Sequence, residues 1–183
     1  MRRAFRRQIR RTLAPDVPPI LQRANNFLDK GEFEHAAEAF EQIADAAEKR
    51  SGPRAPMFYL QAGRAWLLAG HAPAALDHFK HALTMFAGRG QNGKVLQVGN
   101  RIASELDQRD LKKESGELKA YLHELLPGPI KFTQAPLPAS TNQPTLPTHC
   151  PSCGAAMRPD EVEWLDDKTA ECAYCGSPVR GKN

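Results

Sequence analysis

Two thirteen-residue stretches of this chain, GEFEHAAEAFEQI from Gly31 and GHAPAALDHFKHA from Gly70, repeat one pattern at an offset of 39 residues. The alignment sets Ala36 on Ala75, Phe40 on Phe79 and Ile43 on Ala82, and upstream it sets Ala24 on Gly63. Self-similarity at this period is the signature of stacked helical hairpins, in which each unit buries its apolar face only against the next. Gly31 and Gly70 fall where one helix must stop and the next begin, and glycine takes the positive φ needed there at least cost. Ala24, Gly63, Ala36 and Ala75 are small enough for two helices to approach closely. Phe40 and Phe79 fill the space between hairpins. On the segment Glu32–Lys49 the apolar positions Phe33, Ala36, Ala37, Phe40, Ile43, Ala44 and Ala47 trace a 3.6-residue stripe.

The order small residue, Gly seven later, Ala five later, Phe four later resembles the tetratricopeptide repeat. Both copies carry it, over roughly residues 18 to 87, and Tyr59 matches that family's aromatic near the start of the first helix. Two departures stand beside the match. The period is 39 instead of 34, with KRSGPRAP (49–56) as the insert, and the family's terminal proline is out of place. A third hairpin is expected near 92–126 from the stripes Val95, Val98, Ile102, Leu106 and Leu118, Tyr121, Leu122, Leu125; it lacks the Gly-Ala-Phe signature and reads as a diverged cap. The resemblance implies a concave face built from the first helix of each hairpin, with Leu21, Asn25, Leu28, Leu60, Arg64 and Leu67 on or near it, receiving a peptide or helix.

The last segment carries all four cysteines, as Cys150-Pro-Ser-Cys153 and Cys172-Ala-Tyr-Cys175 separated by 18 residues. That is four-Cys zinc spacing, and four thiolates at about 2.3 Å complete a tetrahedral shell with no position left for water or substrate. One structural Zn2+ is therefore expected. His149 adjoins the first ligand and offers a substitute donor. A redox dithiol pair is the competing reading, but such motifs usually come singly, inside a larger α/β pattern. The module resembles a zinc ribbon. Glu161–Leu165 and Thr169–Cys172 are expected to pair as strands about Asp166-Asp167-Lys168, with Trp164, Met157 and Val179 as nearly the whole core. Metal binding, worth roughly 10–16 kcal/mol in comparable peptides, would then supply most of the folding free energy.

The fold class that follows is mostly α: a helical-hairpin stack over 18–126, a Pro-rich linker over 127–148, and a zinc-ribbon β module over 149–180, preceded by a basic amphipathic segment over 1–14. The linker holds Pro127, Pro129, Pro136, Pro138, Pro144 and Pro147 among Thr, Ser, Asn and Gln. Such a composition does not fold alone, and fully extended it spans up to about 68 Å. It is expected to separate the zinc module from the helices, with a fold-back of the module onto the repeats left open as the alternative.

Charge is distributed unevenly. The net +4 conceals +6 from Arg2, Arg3, Arg6, Arg7, Arg10 and Arg11, against −2 for the other 172 residues. With Phe5, Ile9 and Leu13 as an apolar ridge, the arginine segment suits an anionic lipid surface, nucleic-acid phosphates, or packing on the first repeat. Glu34, Glu38, Glu41, Asp45 and Glu48 run opposite the apolar stripe of their helix and read as a solvated face; docking of the arginine segment on them is the sharper alternative. The ribbon carries Arg158, Lys168 and Arg180 against Asp160, Glu161, Glu163, Asp166, Asp167 and Glu171, an acidic balance that weakens a phosphate-binding role.

No run of 18 apolar residues is present, and the first residues lack a secretory h-region. They are Arg-rich and acid-free like an organelle transit peptide, though poor in Ser. Cysteines in metal spacing suit a reducing cytoplasm. No phosphate loop, nucleophile elbow or His-Glu-x-x-His motif occurs. His78 and His81 share a helix face, but Asp77 is the only further donor nearby and points elsewhere. The expected function is a non-catalytic cytoplasmic adaptor with a protein or peptide partner and no small-molecule substrate. A nucleic-acid-associated protein and a peripheral membrane adaptor are the alternatives.

Overall fold

A computed structural model describes residues 19–126, 144–158, 162–166, 168–172 and 174–181. The basic segment 1–14, with its six arginines, and most of the expected linker lie outside them.

Six helices and one small sheet make up the described residues. The helices are α1 (Pro19–Asp29), α2 (Phe33–Lys49), α3 (Ala55–Leu68), α4 (Ala72–Gly88), α5 (Asn92–Gln108) and α6 (Lys112–Leu125). Each packs on the next in sequence, and α6 also packs back on α4. The connections are short, which places neighbouring helices antiparallel. Every one of the five turns contains a residue in the left-handed region: Gly31, Ser51, Gly70, Gly90 and Asp110. The insert after α2 supplies Ser51, at φ 53°.

Four of these turns close in the same way. Gly31 N donates to Leu28 O and Glu32 N to Phe27 O; Gly70 N donates to Leu67 O and His71 N to Trp66 O; Gly90 N donates to Ala87 O and Gln91 N to Phe86 O; Asp110 N donates to Asp107 O and Leu111 N to Leu106 O. These bonds satisfy carbonyls that the helix end would otherwise leave unpaired. Asp110, at φ 61°, thus takes the place of the glycine that the third hairpin lacks. Ser115 then falls where Ala36 and Ala75 stand in the earlier hairpins. It is buried, and its Oγ donates to the carbonyl of Ala103 at 3.2 Å. Ala103 in turn takes the place of Ala24 and Gly63.

The close approach predicted at Gly63 has a specific cause. A Cβ there would sit 2.6 Å from the Phe79 ring and 3.0 Å from the carbonyl of Ala75. Phe40 and Phe79 are both fully buried between helices, with Leu21, Leu60, Leu83 and Phe86 around them. In the third hairpin the contact is made by Gly99 against Leu122. Val95, Ile102, Leu106, Leu118 and Leu122 are buried there, while Val98, Tyr121 and Leu125 are half-buried.

The acidic stripe of α2 does not simply face water. Glu34 lies 3.1 Å from His71 Nε2, Glu41 lies 2.6 Å from His78 Nε2, and Glu48 lies 3.1 Å from His81 Nε2. Trp66 Nε1 also donates to Glu41, at 2.5 Å, and the Tyr59 hydroxyl lies between Asp45 and Glu48. The expectation of a solvated face holds for exposed Glu34, Glu38 and Asp45 and is corrected for half-buried Glu41 and Glu48. The hairpin register brings α3 and the first part of α4, through His81, against the stripe, and their side chains are imidazoles, a phenol and an indole that suit carboxylates.

The C-terminal sheet has three antiparallel strands in the order β1 (Glu163–Asp166), β2 (Thr169–Glu171), β3 (Pro178–Arg180). Trp164 pairs with Ala170, and Ala170 with Val179. The first two strands fall within the expected hairpin; β3 was not foreseen. The core of the module is larger than Trp164, Met157 and Val179, because Leu146, Ala155, Ala170 and Tyr174 are buried with them. Leu146 belongs to the stretch expected to be linker.

Candidate metal centre

Each cysteine pair is held by a turn of the same design. In the first, Gly154 N donates to Cys150 O at 2.9 Å and Cys150 N to Ala155 O at 2.8 Å; in the second, Gly176 N donates to Cys172 O at 2.8 Å and Cys172 N to Ser177 O at 3.0 Å. The chain reverses through Gly154 at φ 78° and Gly176 at φ 74°, a conformation that other residues adopt only with strain. Ser177 N also points at Cys175 Sγ, 3.5 Å away, as expected of a backbone amide beside a thiolate.

The two turns bring all four sulfurs together. The Sγ atoms of Cys150, Cys153, Cys172 and Cys175 lie within 4.8 Å of one another, and all four residues are buried. Cys150 and Cys175 are 3.7 Å apart, and Cys153 and Cys172 are 3.9 Å apart. A tetrahedron with metal–sulfur distances of about 2.3 Å has edges of about 3.8 Å, so the spacing matches a four-thiolate shell. It is far beyond the bond length of a disulfide, about 2.05 Å. The cysteines are free.

Crowding sets the protonation of the four thiols against one another. Hydrogen bonding from Cys153 lowers Cys150 to about 6, and Cys175 is lowered chiefly by Cys150. Cys153 and Cys172 are raised, each chiefly through Cys150. Four negative sulfurs at these distances need a cation among them, and a coordinating divalent ion holds thiolates deprotonated. The donor set therefore fits such an ion.

His149 is outside this cluster. It is exposed, with Nδ1 3.2 Å from Thr148 Oγ1 and Nε2 3.7 Å from Asp29. His78 and His81 are engaged by Glu41 and Glu48, and Asp77 is exposed. Among the described residues, the four cysteines form the one group whose donor atoms converge on a common point.

The module does not stand apart from the helices. Asn25 Nδ2 donates to the carbonyl of Cys153 at 2.7 Å and to that of Leu21 at 3.0 Å, and Asn25 is 4% exposed. Gln22 Nε2 donates to Ser152 O at 3.1 Å. On the other turn, the guanidinium of Arg54 lies directly against Gly176 and bonds Glu171 at 3.0 Å. The expected separation is thus corrected. The stretch 144–148 is folded into the module through buried Leu146, and Asn25, Gln22 and Arg54 supply donors that meet its backbone and its acid.

The residues expected to form a partner-binding face divide into two groups. Leu21, Leu60 and Leu67 are buried in the core. Asn25, Leu28 and Arg64 line a cleft of about 230 Å³ between α1, α3 and the metal module, with His149, Arg158 and Tyr174 on its far side. That volume is below the usual 300–1,000 Å³ of a small-molecule site. It is the seam of an interface. Arg54 was missed from sequence because nothing local marks it; Asn25 was singled out as a polar recognition residue, but not as one that recognises this chain.

No protein-family model, curated protein or solved structure matches the chain. Among the described residues, no helix is long and apolar enough to cross a membrane.

Proposed function

We propose that Cys150, Cys153, Cys172 and Cys175 hold one structural Zn2+ and that the protein is a non-catalytic cytoplasmic adaptor. The observation that carries the metal reading is the convergence of four buried sulfurs at tetrahedral spacing. Zinc is favoured over other divalent ions by the all-thiolate set. A closed four-sulfur shell leaves no coordination site for a substrate, which gives the ion a folding role.

The adaptor reading draws on the helical part. Equivalent turns at Gly31, Gly70 and Asp110, and equivalent small residues at Ala36, Ala75 and Ser115, support a three-hairpin stack of tetratricopeptide type. Stacks of this kind present extended surfaces for a protein or peptide. A second cleft, lined by Met57, Leu60, Arg64, Lys94, Gln97, Val98 and Arg101, lies between α3 and α5.

Native mass spectrometry of the full chain tests the metal reading. One zinc ion per chain is expected, and a chain that binds none after reconstitution would overturn it. Co-purification at low and high salt tests the adaptor reading: a partner protein is expected, whereas recovery of nucleic acid or lipid alone would shift the assignment to the arginine segment.

A further inference from the structure

Both halves of the metal centre are held by side chains of the helical stack, the first by Asn25 and Gln22 and the second by Arg54. Asn25 of α1 binds the carbonyl of Cys153, and its Cβ lies 3.4 Å from where a Cβ on Gly154 would be. Arg54, at the start of α3, packs on Gly176 and pairs with Glu171. Both helix residues therefore contact the turns whose shape depends on the ion, and Glu171 directly precedes a ligand.

The helix beneath buries Leu21 and Ala24 in the stack but is short. α1 has 11 residues, a length at which isolated helices are marginal, and α2 is its main helical neighbour. The metal module lies across α1 and α3, with Gln22 and Asn25 on its first cysteine turn and Arg54 on its second.

We propose that the metal centre is a latch. With the ion bound, the two cysteine turns close over α1 and the start of α3. When the ion is lost the turns lose their shape, the module lets go, and the face carrying Asn25, Leu28 and Arg64 is uncovered. The latch rests on the metal reading above and adds regulation to it: metal occupancy decides whether this face is taken by the chain itself.

The test is hydrogen–deuterium exchange of the full chain, zinc-loaded and after chelation, with native mass spectrometry reporting the ion. Amide exchange across Pro19–Asp29 should rise about tenfold or more when the ion leaves, while α5 and α6 stay unchanged. The double variant Asn25→Ala, Arg54→Ala retains all four cysteines. It should keep its single ion yet exchange in α1 like the chelated parent. Loss of the ion with α1 still protected would overturn the latch alone, as would a double variant with α1 protected as in the parent. A chain that takes up no ion would overturn the metal reading and the latch with it.

Discussion

The Tyr59 hydroxyl donates to the Glu48 carboxylate at 2.6 Å, with Asp45 Oδ1 only 2.7 Å away on its other side. This phenol, 6% exposed, ties the start of α3 to the second half of α2, and the His81 ring packs on it edge-on at 4.4 Å. Tyr59→Phe should cost about 1–2 kcal/mol, the low end for a bond to a charged group because water can reach both carboxylates. Urea denaturation near neutral pH measures it, and an unchanged midpoint would contradict the contribution assigned to this bond.

The same contact fixes two limits of pH stability. The bond from Tyr59 holds Glu48 below its ordinary value of 4.5, so the stability it contributes is complete above that value and is lost as pH falls through the lower folded value. Burial first, and then the carboxylates, raise Tyr59 above its ordinary 10.0. Its contribution is complete below pH 10.0 and declines as pH rises beyond that, where the unfolded chain ionises and the folded one does not. The alkaline decline should be weaker in Tyr59→Phe. A parent and variant with parallel stability curves above that pH would show that the phenol stays ordinary.

Gly63 has no room for a methyl group. Gly63→Ala would press on the buried Phe79 ring and on a backbone carbonyl, at an expected cost of about 1–3 kcal/mol despite alanine's better helix propensity. Phe79→Leu in the same chain should recover part of that cost, giving a coupling energy in a double-mutant cycle. Gly99→Ala meets only the end of the Leu122 side chain and should cost less. Thermal unfolding of the four variants ranks them, and strict additivity of Gly63→Ala with Phe79→Leu would refute the packing argument.

Asp110 holds a turn conformation that the earlier hairpins give to glycine. Asp110→Gly relieves a left-handed residue but adds freedom to the unfolded chain, so a net gain of up to about 1 kcal/mol is expected. The Lys112 pair it removes is too exposed to matter. A measured loss of stability would mean that Asp110 does more than close the turn.

Cys175→Ser, or chelation of the parent, should abolish metal binding and unfold the C-terminal sheet, because roughly 10–16 kcal/mol of metal free energy stands behind modules of this size. The ion should also leave in acid, where protons compete for the thiolates. Fluorescence of half-buried Trp164 and zinc stoichiometry follow both. A sheet that survives without the ion would show that Leu146, Met157, Tyr174 and Val179 suffice as a core.

Much of this chain could be read before folding because it is set by neighbours in sequence. Helix periodicity, a glycine where φ must be positive, and cysteines with two residues between them are local requirements, so the repeat and the candidate ligands stood out from residue order. The paired imidazoles and carboxylates did not, since Glu34, Glu41 and Glu48 meet His71, His78 and His81 only once the hairpins settle into register. Nor did the seat of the metal module, since no local pattern links Asn25 to Cys153 or Arg54 to Glu171. A proline-rich stretch bounds how far the module can travel and leaves open where it rests. That was decided in three dimensions, by buried hydrogen-bonding groups that must find partners once the surfaces around them close.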